Sequence, residues 1–186
     1  MFKKILIANR GEIALRIIGT CHRMGIGTVA VYSEADADAL HVKEADESCF
    51  IGGAAPGNSY LRIDKLLDTA EEKGCDAIHP GYGFLSENAE FARQCSLSGI
   101  TFVGPSAEAI ELMGEKDKAK SVMEKAGVQV VPGYFGKEQS KQCLLKEADK
   151  IGYPLMIKAV LGGGGKGMRV VQKKRRFREC SGVGTK

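Results

Sequence analysis

The stretch Lys4-Ile-Leu-Ile-Ala-Asn-Arg-Gly-Glu-Ile-Ala14 decides the fold of this chain. Its apolar first half, Lys4 to Asn9, has the length and composition of a buried strand, and Gly11 supplies the turn that follows. A helical pattern comes next, because apolar residues recur at spacings of one, three and four along a single stripe: Ile13, Ala14, Ile17, Ile18, Cys21 and Met24. The opening of the chain is therefore predicted to be a strand, a turn and a helix.

The same alternation continues to about residue 103. Apolar runs of strand length recur at four further places: Thr28–Tyr32, Cys49–Ile51, Ala77–His79 and Ile100–Val103. Helical stretches lie between them at Ile63–Glu72 and Glu87–Cys95, and Ser86 is predicted to be the N-cap of the second. Strands that alternate with helices form a parallel sheet through right-handed crossovers. We predict a doubly wound α/β domain over residues 1–103.

The pattern changes after Gly104-Pro105. Two helical segments, Ala107–Met113 and Lys116–Ala126, predict a helical connector over residues 104–127. Beyond it we predict one helix and two strands: Gln139–Lys150, Pro154–Ala159 and Met168–Val171. These elements indicate that residues 128–171 are part of a second domain, of the α+β class.

Composition and charge limit the class of protein. The 186 residues are 44% hydrophobic and 27% charged, which is typical of a globular domain, and no window has the roughly 18 consecutive apolar residues of a membrane span. The formal net charge of the chain is +4. Residues 172–186 contribute +5 and residues 1–171 contribute −1. The basic charge therefore belongs to a tail, and neither nucleic acid nor a membrane is expected as a partner.

The start of the sequence and the spacing of its cysteines indicate a reducing compartment. Met1 leads almost directly into the first strand, so we expect neither a signal peptide nor a transit peptide. The six cysteines include no C-x-x-C pair, which argues against zinc and against a disulfide framework.

The loop Gly162–Gly167 is the most chemically suggestive stretch, because consecutive glycines let backbone N–H groups approach phosphate oxygens. The strand-like Met168–Val171 that follows it disfavours a dinucleotide fingerprint, which must open a helix, and a P-loop requires Ser or Thr after its lysine. A flap over a triphosphate and a surface loop without a ligand remain open. Lys158, just before the loop, either points to solvent or binds an anion held there.

A second glycine-rich segment, Gly81–Asn88, contains Ser86 and Glu87 and follows His79. We favour a structural interpretation, in which the glycines make a strand-to-helix turn and Ser86 with Glu87 starts the helix. His22 and His41 are assigned no role.

Taken together, several segments resemble the N-terminal part of biotin carboxylases in order and spacing. They are Ile7–Ala14, Ala77–Asn88, Phe102–Pro105, Met113–Lys116, Ile157–Ala159 and Gly162–Arg169. Within that family, Gly133–Ser140 is most similar to the methylcrotonoyl-CoA carboxylases. The resemblance implies a Rossmann-like pre-ATP-grasp domain with a parallel sheet, followed by a truncated ATP-grasp lid.

The resemblance also implies a reaction. ATP phosphorylates bicarbonate to carboxyphosphate, which delivers CO₂ to N1 of biotin on a carrier domain. The implied partners are a biotin carboxyl carrier domain, a carboxyltransferase subunit and a second copy in a homodimer. The implied location is the cytoplasm for a bacterial chain and the mitochondrial matrix for a eukaryotic one.

Five ATP-binding residues follow from the resemblance. Lys116 and Lys158 match lysines that contact ATP, Gly164 and Gly165 match the flap over its phosphates, and Met168 matches a residue near the adenine. No catalytic residue or Mg²⁺ ligand is assigned, because the family carries these beyond the matching positions. The chain alone is expected to be inactive, and a non-catalytic fragment for subunit contact or nucleotide binding is the alternative.

Overall fold

The computed structural model describes residues 1–114, 116–134, 136, 138–158 and 168–174, without the side chains of residues 116–118 and 121. The chain divides into two units, Met1–Glu115 and Lys116–Lys186. The predicted flap residues Gly164 and Gly165 lie outside the described residues, as does the predicted basic tail beyond Lys174.

The first unit is built on a parallel sheet of five strands. They are β1 (Lys4–Ile7), β2 (Gly27–Ser33), β3 (Glu47–Gly52), β4 (Ala77–His79) and β5 (Thr101–Phe102). Their order is β3-β2-β1-β4-β5, and every neighbouring pair is parallel. The predicted α/β class is confirmed. Because the chain winds outward in both directions from β1, the strand order reverses between β1 and β4.

Five helices belong to this unit. They are α1 (Gly11–Arg23), α2 (Leu40–Glu44), α3 (Ile63–Glu72), α4 (Ala89–Leu97) and α5 (Ala107–Gly114). Short 3-10 helices lie at Glu34–Asp36 and Pro56–Asn58. The short α2 has no counterpart among the predicted elements. Met24, placed on the buried stripe of α1 by its spacing, is the C-cap and is 52% exposed.

Both faces of the sheet are buried, and β1 shows why. Side chains alternate along a strand, so Leu6 joins one apolar cluster while Ile5 and Ile7 join another on the opposite face. The Ile5 cluster is completed by residues of α1 such as Ile17, and the Leu6 cluster by residues of α3 and α4. Continuous apolar runs, rather than alternating ones, are the expected signature of such strands.

The N-cap prediction for α4 was wrong. The helix begins at Ala89, and the side chain of Asn88 accepts a hydrogen bond of 2.8 Å from the backbone N–H of Phe91. Ser86 instead donates its backbone N–H to the carbonyl of Gly83, within the turn that precedes the helix. Asn and Ser are comparable as caps, so the turn geometry, not the residue type, selects the position.

The second unit contains α6 (Lys116–Lys125), α7 (Lys141–Ile151), β6 (Leu155–Lys158) and β7 (Met168–Val171). The two strands pair antiparallel. The hydroxyl of Ser140 caps α7 by accepting from the N–H of Cys143. Ala148 and Val171 are buried between the helix and the strands.

In the part of the chain that the structure describes, no helix is long and apolar enough to span a membrane. Five of the cysteines lie there and all five are free thiols: Cys21, Cys49, Cys75, Cys95 and Cys143.

Candidate functional site

One exposed surface in the second unit combines a cation with apolar side chains. In the β6–β7 pair Lys158 lies opposite Met168, and Met156 lies opposite Val170. Directly opposed residues share a face of an antiparallel pair, so these four side chains form one surface, here called the hairpin face. Its apolar members are about half exposed: Met156 45%, Met168 46% and Val170 52%.

The other side of the hairpin fixes this arrangement. Leu155, Ile157 and Val171 pack with Leu144 and Ala148 of α7. A shift of register by one residue would turn every side chain to the opposite side, so burial of this apolar set holds Lys158 and Met168 outward.

The hairpin face can bind a ligand that is both flat and anionic. An ammonium group beside flexible thioethers suits a negative charge next to an apolar ring. Of the five predicted ATP-binding residues, the structure brings Lys158 and Met168 together. Lys116 is the first residue of α6, but its side chain lies outside the described residues.

A second candidate site lies in the first unit, at the carboxyl edge of the parallel sheet. A shallow groove of about 450 Å³ is lined by residues 9–13, which follow β1, and residues 82–84, which follow β4. These two segments flank the point where the strand order reverses. Open α/β sheets bind their ligands at such switch points.

Asn9 connects the two walls of the groove. It is 1% exposed, and its amide nitrogen donates to the carbonyls of Pro80 at 2.8 Å and Tyr82 at 3.0 Å. Its carbonyl oxygen accepts from the N–H of Arg10. Gly81 has a φ of +66°, and an added Cβ would lie 2.7 Å from the Asn9 amide, so only glycine fits here.

A network of polar groups around Asp36 is connected to the groove through Arg10. Tyr60, Ser33 and Arg10 all donate to one carboxylate oxygen of Asp36, at 2.7, 2.7 and 3.3 Å. Burial acts to raise the pKa of Asp36, but the hydrogen bonds it accepts, that from Tyr60 first, bring it below its ordinary value. Burial, followed by the bond to Asp36, raises the pKa of Tyr60 to about 12.

Phe84 packs against two members of the Asp36 network, Tyr60 and Arg10. Its ring stacks on that of Tyr60 at 5.0 Å, and the Arg10 guanidinium carbon lies 5.5 Å from each ring centroid. Phe84 has a φ of +40°, a conformation that L residues rarely adopt. Strained backbone of this kind persists where its surroundings over-determine it, and it clusters at functional sites.

His79 organises the turn after β4. Its Nδ1 accepts the backbone N–H of Gly81 at 3.0 Å, and burial, with a smaller effect of Arg16, lowers its pKa. The neutral ring is therefore favoured, with its proton on Nε2. His22, which has no predicted role, lies 3.2 Å from the carboxylate of Asp46.

Sequence reasoning gave no individual role to Asn9, Arg10, Glu12 or Tyr82. Asn9 and Arg10 follow β1, Glu12 lies in the first turn of α1, and Tyr82 lies in the loop after β4. A strand order deduced from the sequence would have pointed to these positions. That order depends on which strands pair across long separations, and hydrophobic periodicity does not report it.

Two protein-family models match this chain, and the boundary between them lies close to the boundary between the two structural units. Residues 1–110 match the model of the biotin carboxylase N-terminal domain, and residues 115–186 match that of the carbamoyl-phosphate synthase L chain ATP-binding domain. The alpha subunit of mitochondrial methylcrotonoyl-CoA carboxylase from Mus musculus is 58% identical over 176 residues, which are 95% of this chain and 24% of that subunit.

Solved structures show the same similarity. Campylobacter jejuni biotin carboxylase in its beta-gamma-ATP complex superposes with a TM-score of 0.88 and 50% identity, over 97% of this chain and 40% of that one. The biotin carboxylase domain dimer of Hydrogenobacter thermophilus 2-oxoglutarate carboxylase, in complex with MgADP, ADP and bicarbonate, gives 0.85 and 49%, over 96% and 39%. The chain thus spans about a quarter to two fifths of the length of these proteins.

Proposed function

Because this chain belongs to the biotin carboxylase family, we propose that it is the N-terminal part of an enzyme that uses ATP and bicarbonate to carboxylate biotin on a carrier domain. The observation that carries the proposal is the extent of the similarity, 58% identity over 95% of the chain. The match to an ATP-binding domain over residues 115–186 supports the nucleotide.

The hairpin face is the proposed contact for ATP. Lys158 neutralises charge on the phosphates, while the apolar side chain of Met168 packs against the adenine. Lys116 provides a second ammonium group, and the backbone N–H groups of Gly164 and Gly165 cover the phosphates. In phosphoryl transfer such groups act by positioning and by stabilising developing charge.

Mg²⁺ is a proposed cofactor of the complete enzyme, where it supplies charge neutralisation between phosphates. The described residues contain no group of three or more His, Cys, Asp or Glu side chains placed to hold a metal ion. No Mg²⁺ ligand is therefore proposed among them.

The proposed partners are a biotin carboxyl carrier domain, a carboxyltransferase subunit and a second copy of the chain. Relatives and structural neighbours support them, since one is named as a carboxylase subunit and another as a domain dimer. The proposed location is the cytoplasm in a bacterium and the mitochondrial matrix in a eukaryote.

The test is bicarbonate-dependent ADP release with free biotin, in an enzyme that joins residues 1–171 to the remainder of the Campylobacter jejuni biotin carboxylase. We expect turnover from this chimera and none from the 186-residue chain. Lys158→Ala in the chimera should lower kcat/KM for ATP by roughly 10²-fold, the effect typical of losing one preorganised electrostatic group.

Lys146→Ala is the matched control, because Lys146 is an exposed lysine on α7, outside the hairpin face. It should leave the kinetics unchanged. A chimera that folds but releases no ADP in response to bicarbonate would refute the function, and normal ATP kinetics in Lys158→Ala would refute the nucleotide contact.

A further inference from the structure

The outermost strand of the parallel sheet, β3, has one edge that no other strand covers. It pairs with β2 on one side, and no strand among the described residues lies on its other side. An edge strand presents a row of backbone N–H and C=O groups to which a further extended segment can add. The six residues Glu47–Gly52 therefore offer a template for strand addition.

Features that oppose strand addition are confined to the carboxyl end of β3. The ammonium group of Lys65 donates to the backbone carbonyl of Ile51 at 2.7 Å. The ladder with β2 is irregular between Tyr32 and Ser33, which lie opposite this same end. Lysine side chains and bulges both keep edge strands from pairing. Neither feature involves residues 48–50, so this part of the edge is open.

A groove of about 260 Å³, here called the edge groove, is lined by β3 and α3. Residues 49–52 form one wall, and Lys65, Asp68, Thr69 and Glu72 form the other. Asp68 and Glu72 are exposed and lie one helical turn apart, so their carboxylates share a face of α3. Neither has an ion pair among the described residues, whereas Lys65 is engaged by a backbone carbonyl. The α3 wall therefore carries two unpaired negative charges.

The opposite face of the same edge is aromatic. Side chains alternate along a strand, so Phe50 points away from the face on which Ile51 packs with Leu66 of α3. Phe50 is 56% exposed, and its ring lies 5.8 Å from that of Tyr32, its partner in β2. A segment added beside β3 would extend this aromatic pair by a further cross-strand contact.

The two faces define the chemistry of a partner. An added strand directs alternate side chains to the two sides of the sheet. On the α3 side a Lys or Arg side chain would meet Asp68 and Glu72, and on the other side an apolar side chain would pack on Phe50. The two carboxylates would repel an acidic segment. The charge of the edge groove thus selects a basic partner.

We propose that the edge groove is a docking site for an extended segment of a partner protein, in which basic and apolar residues alternate and which adds to β3 as a further strand. Strand addition takes its affinity from main-chain hydrogen bonds and its selectivity from the pockets that receive alternate side chains. The site lies wholly within the first unit, and it does not depend on the proposed ATP chemistry.

The test uses a fluorescent seven-residue peptide of alternating lysine and valine with blocked termini, titrated with the 186-residue chain and followed by fluorescence anisotropy. We expect binding that weakens as salt is added. Asp68→Asn and Glu72→Gln should each raise the Kd about threefold, the size expected for one exposed ion pair. Phe50→Thr, which keeps a strand-forming residue but removes the ring, should raise it by a similar factor.

Two modified peptides separate strand addition from simple charge attraction. One carries N-methyl groups on every lysine, and the other carries them on every valine. Only alternate residues of an added strand direct their N–H groups toward β3, so one modified peptide should lose binding and the other should retain it. Equal affinity of the two peptides, whether high or low, would overturn the proposal.

Glu71→Gln is the matched control, because Glu71 is an exposed glutamate of α3 that does not line the edge groove. It should leave the Kd unchanged. A loss equal to that of Glu72→Gln would show that net charge alone attracts the peptide, and would overturn the proposal. Absence of binding to the unaltered chain would do the same. If a second copy occupied the edge instead, sedimentation equilibrium would show a dimer that Phe50→Thr disrupts, which would also overturn it.

Discussion

Tyr60 joins three segments at the carboxyl edge of the sheet. Its ring is fully buried against Phe84, and its hydroxyl donates to Asp36 while accepting from the backbone N–H of Ser33 at 3.0 Å. A buried donor that loses its acceptor bears the full cost of desolvation. The stability of this edge therefore depends on one phenolic oxygen.

Tyr60→Phe should lower the free energy of unfolding by about 1–3 kcal/mol, because the Ser33 N–H loses its partner. The measurement is urea denaturation of the 186-residue chain. Tyr32→Phe is the control, since the Tyr32 hydroxyl has no hydrogen bond within the described residues, and it should change the value by less than about 0.5 kcal/mol. Equal effects would contradict the prediction.

His41 predicts a dependence of stability on pH. It lies on α2 and is fully buried, its Nδ1 has no partner among the described atoms, and burial is the largest cause that lowers its pKa. The unfolded chain therefore takes up a proton near pH 6.5 that the folded chain does not. The stability is fully present above pH 6.5 and falls as the pH drops from there toward the lower, folded pKa.

The measurement for His41 is the urea midpoint between pH 7.5 and 5. His41→Gln should reduce the slope with pH. The partly buried His79, whose pKa is also lowered, retains part of the slope in this variant. A slope that His41→Gln leaves intact would show that this histidine is not responsible.

At the scale of secondary-structure elements, helix caps and strand registers determine the positions of the two candidate sites. The Asn88 cap starts α4 at a point that leaves residues 80–84 free to form the wall of the groove. The β6–β7 register places Lys158 beside Met168. In both cases a local contact, a cap or a buried apolar face, determines the position of a candidate site.

Asn88→Ala should destabilise the chain by about 1 kcal/mol, because the N–H of Phe91 loses its acceptor. Ser86→Ala is the matched control, and it should be nearly neutral since no hydrogen bond of the Ser86 hydroxyl occurs within the described residues. Thermal unfolding followed by circular dichroism distinguishes them. A larger loss in Ser86→Ala would restore the cap predicted from the sequence.

At the scale of the whole molecule, the first unit holds its own core. The two clusters on the faces of the sheet draw only on residues before 104, and α5 covers Ala92 with Ala107 and Ile110. The second unit has a small separate cluster around Ala148 and Val171. The first unit is therefore expected to fold without the second.

A fragment of residues 1–115 should unfold cooperatively, whereas residues 1–103, the domain predicted from the sequence, lack α5. Loss of the buried Ala107 and Ile110 should make the shorter fragment less stable by roughly 2–4 kcal/mol, from the transfer of their apolar area. Urea denaturation of both fragments checks this. Equal midpoints would place the boundary near 103, and a non-cooperative 1–115 fragment would contradict an independent unit.

The sequence by itself determined the fold class and most elements of this protein. Its apolar runs and helical stripes report burial directly, so β4 and α3 were predicted with their observed bounds. The resemblance to the family also predicted Lys158 and Met168 as ATP-binding residues. That prediction was possible from the sequence because it rests on short segments of neighbouring residues.

Only the tertiary structure decided what depends on contacts between distant residues. The pairing of β1 with β4 brings Asn9 and Glu12 to Tyr82, some seventy residues away. The buried position of His41 requires α2, a helix too short to show periodicity. Hydrophobic patterns specify which side chains are buried, but the partner that each one meets depends on strand order and register, which are fixed when the whole core packs.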